Sequence, residues 1–200
     1  MSFLSIIIDA IFPLKCISCE KILTNEKHLC ADCNAMINWL KGQLSNARAM
    51  AAYDGVWANI IHNYKYNKAT YLAGPLGFLM ADMVDYEYDL IIPVPLHPKR
   101  LRERGYNQSA LLAKRLAGLT GFRCDLLSLK RIKPTVDQVG LSKSERLENV
   151  KGAFESNTVL GDVLLIDDVM TTGATVNECI KVLKKAGAAR VDVLTLARTV

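Results

Sequence analysis

The sequence predicts an α/β fold, a mainly parallel sheet flanked by helices, preceded by a small four-cysteine module. Strand-like apolar runs alternate with helical patterns from residue 88 onward, which is typical of a doubly wound sheet. One run, residues 163–166, is short and unbroken, as expected for a strand buried on both faces. Two Cys-x-x-Cys pairs lie near the N-terminus. A chain of 200 residues has room for one such domain and a small appendage.

Composition indicates a globular, cytoplasmic protein with anionic ligands. Apolar residues make up 50% of the chain, charged residues 22%, and the net charge of +5 favours polyanions or nucleic acid. No apolar run approaches the roughly 20 residues that span a bilayer. Residues 1–12 are apolar, but they lack the basic start of a signal peptide and Asp9 interrupts them. We predict that they form a helix that packs on the protein body or lies on a membrane surface.

Residues 13–45 contain the cysteine pairs and predict a zinc finger. Ten residues separate the pairs, so each can offer two thiolates to one tetrahedral ion. Disulfides are disfavoured in a cytosolic protein, whereas an iron site remains an alternative. So small a segment cannot bury a sufficient core, and the metal would supply most of its folding free energy. The predicted ligands are Cys16, Cys19, Cys30 and Cys33.

The next segment reads as two helical stretches and a strand. Asp54 can cap a helix with Trp57 and Tyr64 on its apolar face, and the spacing places Tyr71 on the same face. These aromatic residues, with Tyr66, are either core residues, which the spacing favours, or a stacking surface for single-stranded bases. A second apolar stretch covers 72–83, and residues 89–95 predict a strand.

A basic turn over residues 96–108 follows that strand. Arginine and lysine crowd this turn ahead of a helix that contains Leu111, Leu112 and Leu116. Guanidinium groups match phosphate oxygens in pairs, so the turn is a candidate anion site. Its cations are Lys99, Arg100, Arg102 and Arg104.

The remaining elements complete the sheet. Residues 123–131 read as a strand, and the polar segment of about 131–150 is a candidate mobile lid over the site. Residues 162–167 and 190–196 predict the closing strands. Between them, apolar residues recur at helical spacing from Val176 to Leu183, and Gly187 suits the end of that helix.

The most informative stretch is 163–175, Val-Leu-Leu-Ile-Asp-Asp-Val-Met-Thr-Thr-Gly-Ala-Thr. Asp167 and Asp168 end a parallel strand, where ligands bind in open α/β sheets. A helix N-terminus follows, whose free N–H groups attract a phosphate, while the carboxylates suit sugar hydroxyls. The phosphate-binding residues would be Thr171, Thr172, Gly173, Ala174 and Thr175. A nucleoside triphosphatase and a dinucleotide fold are disfavoured, because the chain has neither G-x-x-x-x-G-K-[ST] nor G-x-G-x-x-G.

This stretch resembles the 5-phosphoribosyl-1-pyrophosphate (PRPP) loop of type I phosphoribosyltransferases. The order of the four-cysteine segment, Pro-Val-Pro-Leu-His-Pro-Lys-Arg, Arg-Gly-Tyr-Asn-Gln and the PRPP loop resembles the ComF family of late-competence proteins over nearly the whole chain. The resemblance implies a type I phosphoribosyltransferase-like domain over 46–200. It also implies a role in natural transformation at the inner face of the cytoplasmic membrane. The implied partners are single-stranded DNA and other competence proteins, such as the DNA-uptake helicase.

Two classes of function are compatible with these residues. As an enzyme, the protein would hold ribose hydroxyls on Asp167 and Asp168, and pyrophosphate with Mg²⁺ on Lys99 and Arg100. Transferases for 6-oxopurines carry an aspartate where this chain has Thr171, so a 6-oxopurine acceptor is disfavoured. As a binding protein, it would use the pocket to sense PRPP or to contact a DNA terminus, and the four cations of the basic turn are candidate contacts to single-stranded DNA.

Overall fold

The computed structural model describes residues 13–24, 28–40, 46–134 and 143–200. The predicted N-terminal helix over 1–12 lies outside these residues, as does the 135–142 part of the predicted lid. Five parallel strands form the main sheet in the order β1-β7-β6-β2-β3, which confirms the predicted α/β class. Two further strands, β4 and β5, form an antiparallel pair. The strands are β1 (Ala47–Ala52), β2 (Leu90–Pro93), β3 (Arg123–Cys124), β4 (Leu129–Arg131), β5 (Phe154–Ser156), β6 (Gly161–Met170) and β7 (Ala188–Arg198).

Seven α-helices and a short 3-10 helix (Thr70–Leu72) lie within the described residues. The longer helices follow the strands along the chain, as in alternating α/β folds. The helices are α1 (Ala31–Ala35), α2 (Gly55–Tyr66), α3 (Ala73–Ala81), α4 (Pro98–Arg104), α5 (Gln108–Thr120), α6 (Lys143–Val150) and α7 (Ala174–Lys185).

The sheet separates two cores because successive strand residues point to opposite faces. Leu164 and Ile166 of β6 pack with α2, α3, α5 and the cysteine segment. Val163 and Leu165 face the other side and pack with α7 and the β4–β5 pair. All four of these β6 side chains are fully buried, as their unbroken apolar run predicts.

The connections after β2 and β6 leave the sheet on opposite faces. Helix α5 buries Leu112 and Leu116 in the first core, whereas α7 buries Val176 and Leu183 in the second. Because β2 and β6 are neighbours, a crevice opens between their carboxyl ends at this change of direction. Open α/β sheets bind ligands at such a point.

The predicted strand over 123–131 was wrong in its extent. Only Arg123 and Cys124 pair with β2, and the chain then turns away before β4 joins β5 in a separate sheet. The Asp125 carboxylate accepts hydrogen bonds from the backbone N–H groups of Leu127 and Ser128 at 2.8 and 3.0 Å. This side-chain turn competes with the sheet ladder and ends the strand.

The basic turn also differs from the prediction, because residues 98–104 form a helix. Pro98 occupies the first turn of α4, where its fixed φ is favourable and its missing N–H costs nothing. His97 Nδ1 accepts from the Lys99 N–H at 3.3 Å, and Gly105 ends the helix in the left-handed conformation. A helix makes residues four apart neighbours, so the four cations no longer share one surface.

The aromatic residues divide between core and surface. Trp57 and Tyr64 are fully buried, as the core interpretation predicts. The Trp57 indole N–H donates to the Leu196 carbonyl at 2.7 Å, and the Tyr64 hydroxyl donates to the Gln108 carbonyl at 2.8 Å. The placement of Tyr71 on the same helical face was wrong. Helix α2 ends at Tyr66, and Tyr71 lies exposed in the 3-10 helix beyond a left-handed Lys68.

A buried ionic network joins the beginning of β7 to the segment that precedes β2. The Asp192 carboxylate accepts from the Tyr88 hydroxyl at 2.6 Å and from Arg190 at 2.7 and 3.0 Å. The buried Arg48 guanidinium donates to the Tyr88 hydroxyl at 3.1 Å, to the Met83 carbonyl at 2.7 Å and to Asp85. Burial and the Asp192 carboxylate raise the pKa of the Tyr88 hydroxyl, which therefore stays a donor.

Each helix in the described ranges is too short or too polar to span a bilayer.

Candidate functional site

The four predicted cysteine ligands converge, and their sulfur atoms lie within 4.8 Å of one another. The Cys19 and Cys30 sulfur atoms are 3.7 Å apart. Four thiolates at the usual distance of about 2.3 Å from one zinc ion lie about 3.8 Å apart, so the donor set fits this metal. Cys16, Cys30 and Cys33 are buried, which keeps the site dry.

Backbone groups favour the thiolate form of Cys16, whereas at Cys33 a Ser18 hydrogen bond is outweighed by burial and the neighbouring thiols, which raise the pKa of Cys33 to about 12. Burial alone would raise the pKa of the Cys16 thiol, but the backbone N–H groups of Cys19, Cys30 and Ser18 lower it to about 6. The Cys33 N–H also points at the Cys30 sulfur, at 3.4 Å. Thiolates bind metal, so these residues form a four-cysteine zinc site.

A second site occupies the crevice between β2 and β6, in a cavity of about 280 Å³. Asp167 and Asp168 lie at its floor, near the carboxyl end of β6. The Ser109 hydroxyl, at the start of α5, donates to Asp167 at 2.9 Å. The Lys65 ammonium, near the end of α2, contacts the Asp168 carboxylate at 2.9 Å.

Burial and the neighbouring Asp168 charge raise the pKa of Asp167 to about 7, although Lys65 acts against this shift. Burial would lower the pKa of Lys65, but the Asp168 carboxylate outweighs it and the net shift is upward. The ammonium is therefore charged at neutral pH. Two adjacent carboxylates at the cavity make a strong acceptor for hydroxyl groups.

The threonine-rich loop forms the wall beside the acids. Gly173 adopts a left-handed φ of 76° immediately before α7, a conformation that favours glycine. Thr171 and Thr175 line the cavity, and the Thr172 hydroxyl accepts from the Ala174 N–H at 3.4 Å. The N-terminus of α7 thus lies beside the cavity, where the positive end of the helix dipole favours an anion.

The basic helix α4 divides its cations between two surfaces. Arg100 and Arg104, four residues apart, both line the cavity. Lys99 and Arg102, three residues apart, are exposed and lie outside the cavity lining. The structure therefore brings Arg100 and Arg104 to the predicted site, together with the acids and the threonine loop.

Sequence analysis did not identify Lys65, Ser109 or Arg131 as site residues. Lys65 sits among the apolar residues of α2, and Ser109 looks like part of a helix start. Arg131 ends β4 and lines the cavity, where burial and the nearby Arg100 charge lower its pKa. No local motif marks these positions, because distant elements bring them together.

Comparison with known proteins identifies both parts of the chain. Residues 7–48 match the model of a double zinc ribbon domain, and residues 110–199 match that of a phosphoribosyl transferase domain. Competence protein F of Haemophilus influenzae is 41% identical over 115 residues, 55% of this chain and 50% of that protein. The chain thus spans about half the length of this relative.

Two other relatives match over most of their length. DNA utilization protein YhgH of Escherichia coli O6:H1 is 30% identical over 92% of this chain and 90% of that protein. Competence protein ComFC of Streptococcus pneumoniae is 31% identical over 92% of this chain and 80% of that protein. With this coverage, a four-cysteine zinc site and a phosphoribosyltransferase-like sheet, the chain belongs to the ComF family.

Proposed function

We propose that the cavity binds PRPP with Mg²⁺ and that the protein acts in the handling of DNA during natural transformation. The main support for PRPP binding is that three kinds of ligand-binding group line one cavity. It offers paired carboxylates for ribose hydroxyls, a helix N-terminus for a monophosphate, and clustered guanidinium groups for a second anion.

Each part of PRPP has a partner under this proposal. Asp167 and Asp168 accept hydrogen bonds from the ribose hydroxyls, and the 5′-phosphate lies on residues 171–175. Arg100 holds the pyrophosphate with Mg²⁺, and Lys99 attracts it from the rim. Helix α4 supplies Arg100 and the loop before α7 supplies the threonines, so different elements would hold the two anionic ends of the ligand.

The arginine pair of Arg100 and Arg131 supports an anionic ligand. Burial, and then the nearby Arg100 charge, lower the pKa of Arg131, and both residues line the cavity. A pyrophosphate bound in this part of the cavity would accept charge-assisted hydrogen bonds from guanidinium groups.

Calorimetric titration of PRPP and Mg²⁺ at pH 8, above the pKa of Asp167, tests the site. Each of Asp167→Asn and Asp168→Asn should weaken PRPP binding by about 1.5–3 kcal/mol, because hydrogen bonds to a charged acceptor carry about that much. Glu87→Gln is the matched control, since this exposed carboxylate precedes β2 at the other end of the sheet. Equal PRPP affinity in the wild type and the double Asp variant would reject the assignment.

A catalytic phosphoribosyltransferase is the second candidate function, favoured by the same cavity. Displacement at the anomeric carbon passes through a cationic sugar, and the required help is positioning and stabilisation of the leaving pyrophosphate. Thr171 stands where transferases for 6-oxopurines have an aspartate, so the acceptor would be of another kind. Base-dependent release of pyrophosphate from PRPP would make the protein an enzyme, and binding without turnover would make it a sensor or adaptor.

The DNA part of the proposal is supported by the names of the relatives and by helix α4. Its exposed face carries Lys99 and Arg102, and its other face carries Arg100 and Arg104 at the cavity. The outer pair, three residues apart on one face of the helix, can contact phosphates of a strand, whereas the inner pair faces the cavity.

Reversing the outer pair, Lys99→Glu with Arg102→Glu, should weaken binding to single-stranded DNA across sequences alike. Each lost phosphate contact lowers the slope of log affinity against log salt by about 0.7, so the pair should lower it by about 1.4. Fluorescence anisotropy with an oligonucleotide at several salt concentrations measures this slope. Lys185→Glu, an exposed lysine at the end of α7, should leave the slope unchanged. Salt-insensitive or absent DNA binding by the wild type would contradict this part of the proposal.

A further inference from the structure

A second cavity of about 320 Å³ adjoins the first one. The two share Lys65, Tyr66, Arg100 and Arg104, but the second contains no residue of the threonine loop. It therefore opens beyond the Lys65–Asp168 pair, on the side away from the helix N-terminus that attracts phosphate. Helix α2 and the turn that follows it supply one wall, and α4 supplies the other.

The second cavity combines aromatic surface with positive charge. Tyr66 is 58% exposed; the Arg104 guanidinium carbon lies over its ring, 5.1 Å from the centre, and the His62 ring centre is 4.9 Å away at a tilt of 43°. Arg104 also donates to Gln108 at 2.9 Å, and four of its five N–H groups are not used in that bond. The guanidinium group and the exposed part of the ring together form a surface on which a nucleobase stacks.

Lys68 supplies a charge that belongs to this cavity alone. It adopts a left-handed φ of 54°, uncommon for a lysine, where the chain turns after α2. Lys68 is exposed and lines the second cavity but not the first. The charged residues that line the second cavity are four cations, Lys65, Lys68, Arg100 and Arg104, and one carboxylate, Glu103.

We propose that this second cavity binds a nucleotide, with its base against Tyr66 and Arg104 and its phosphate at Lys68. A neutral free base would not use the Lys68 charge, and an inorganic phosphate would not use the exposed ring. The position of the nucleotide relative to PRPP rests on the proposed function, because ribose held at Asp167 and Asp168 would point its far end toward this cavity. The nucleotide is either a free mononucleotide or the terminal nucleotide of a single strand.

Calorimetry on the zinc-loaded full chain tests the site with thymidylate, thymidine and inorganic phosphate as separate probes. Thymidylate should bind at least about tenfold more tightly than either part, because stacking and charge add in one ligand. Tyr66→Leu should raise the thymidylate Kd about tenfold, whereas Tyr66→Phe keeps the ring and should change it little. Thymidylate that binds no better than phosphate, or equally well to Tyr66→Leu, would overturn the proposal.

Lys68→Glu separates this site from the PRPP site. It should raise the thymidylate Kd about tenfold and leave the PRPP Kd within about twofold, because a close charge pair is replaced by repulsion only in the second cavity. Lys185→Glu, about 17 Å along α7 from the threonine loop, is the matched charge reversal and should change neither value. Unchanged thymidylate binding by Lys68→Glu would overturn the assignment.

Two further binding measurements identify the source of the nucleotide and keep the test of this site independent of the PRPP proposal. The first probe is a thymidine oligomer with a 5′-phosphate. If Lys68→Glu raises the Kd of this oligomer as much as that of thymidylate, the ligand is the terminus of a strand. Dependence with thymidylate alone would identify a free nucleotide. Lys68-dependent thymidylate binding in a protein that fails to bind PRPP would support the second site while rejecting the first.

Discussion

Cys33→Ala should abolish stoichiometric zinc binding and unfold the cysteine segment while the parallel sheet remains folded. The effect should be large, because structural zinc contributes on the order of 10 kcal/mol to so small a unit. Among the described residues of the segment, the buried ones outside the metal site are mainly Leu29 and Ile37, and both belong to the first core. The thiolates left after the substitution would repel one another in a mostly buried site.

The two tryptophan residues of the chain provide the measurement, since both lie at this junction. The Trp39 ring is 5.2 Å from that of Trp57, and its backbone bridges to Ala51 of β1. Unfolding of the cysteine segment should expose Trp39 and shift the fluorescence to the red, while Trp57 stays buried under β7. Elemental analysis should show the loss of about one zinc ion per chain.

Cys124→Ser is the matched control, because this half-buried cysteine lies in β3 and is not one of the four clustered thiols. It should keep its zinc and its fluorescence spectrum. A strong chelator should reproduce the Cys33→Ala spectrum in the wild type. Metal-free protein with the wild-type spectrum and melting temperature would contradict the structural role of zinc.

The parts of the molecule that sequence predicted are those whose causes are local. The strand over 163–166 and the helix after it follow from an apolar run, a glycine with positive φ and a helical repeat. The cysteine cluster follows from spacing alone. In each case, residues within about 20 positions carry the whole signal.

The parts that sequence missed depend on distant partners. Strand β1 is Ala-Arg-Ala-Met-Ala-Ala, a composition with weak strand preference, and it forms because β7 pairs with it nearly 150 residues later. Lys65 becomes a site residue only when α2 packs beside β6 and its ammonium meets Asp168. The prediction for the basic turn was wrong for a local reason. Its charge suggested a loop, but a proline in the first turn and a histidine cap start a helix there.

The ionic network at the beginning of β7 is the second place where a single change should have a large effect. Asp192 is 4% exposed and is the shared acceptor for Tyr88 and Arg190. Arg48, also buried, depends on the same network through the Tyr88 hydroxyl. Burying these charges is costly, and only their mutual hydrogen bonds offset that cost.

Asp192→Ala should therefore lower the free energy of unfolding by about 1–3 kcal/mol, because it leaves the buried Tyr88 hydroxyl without its acceptor and removes the pair with Arg190, whose side chain is 46% exposed. Tyr88→Phe removes one hydroxyl and should cost only about 1 kcal/mol. Glu87→Ala is the matched carboxylate control: Glu87 is exposed beside Tyr88, so its loss should change the free energy of unfolding by about 0.5 kcal/mol or less. Urea unfolding of the zinc-loaded protein measures all three. Equal losses for Asp192→Ala and Glu87→Ala would show that the buried carboxylate does not stabilise this network.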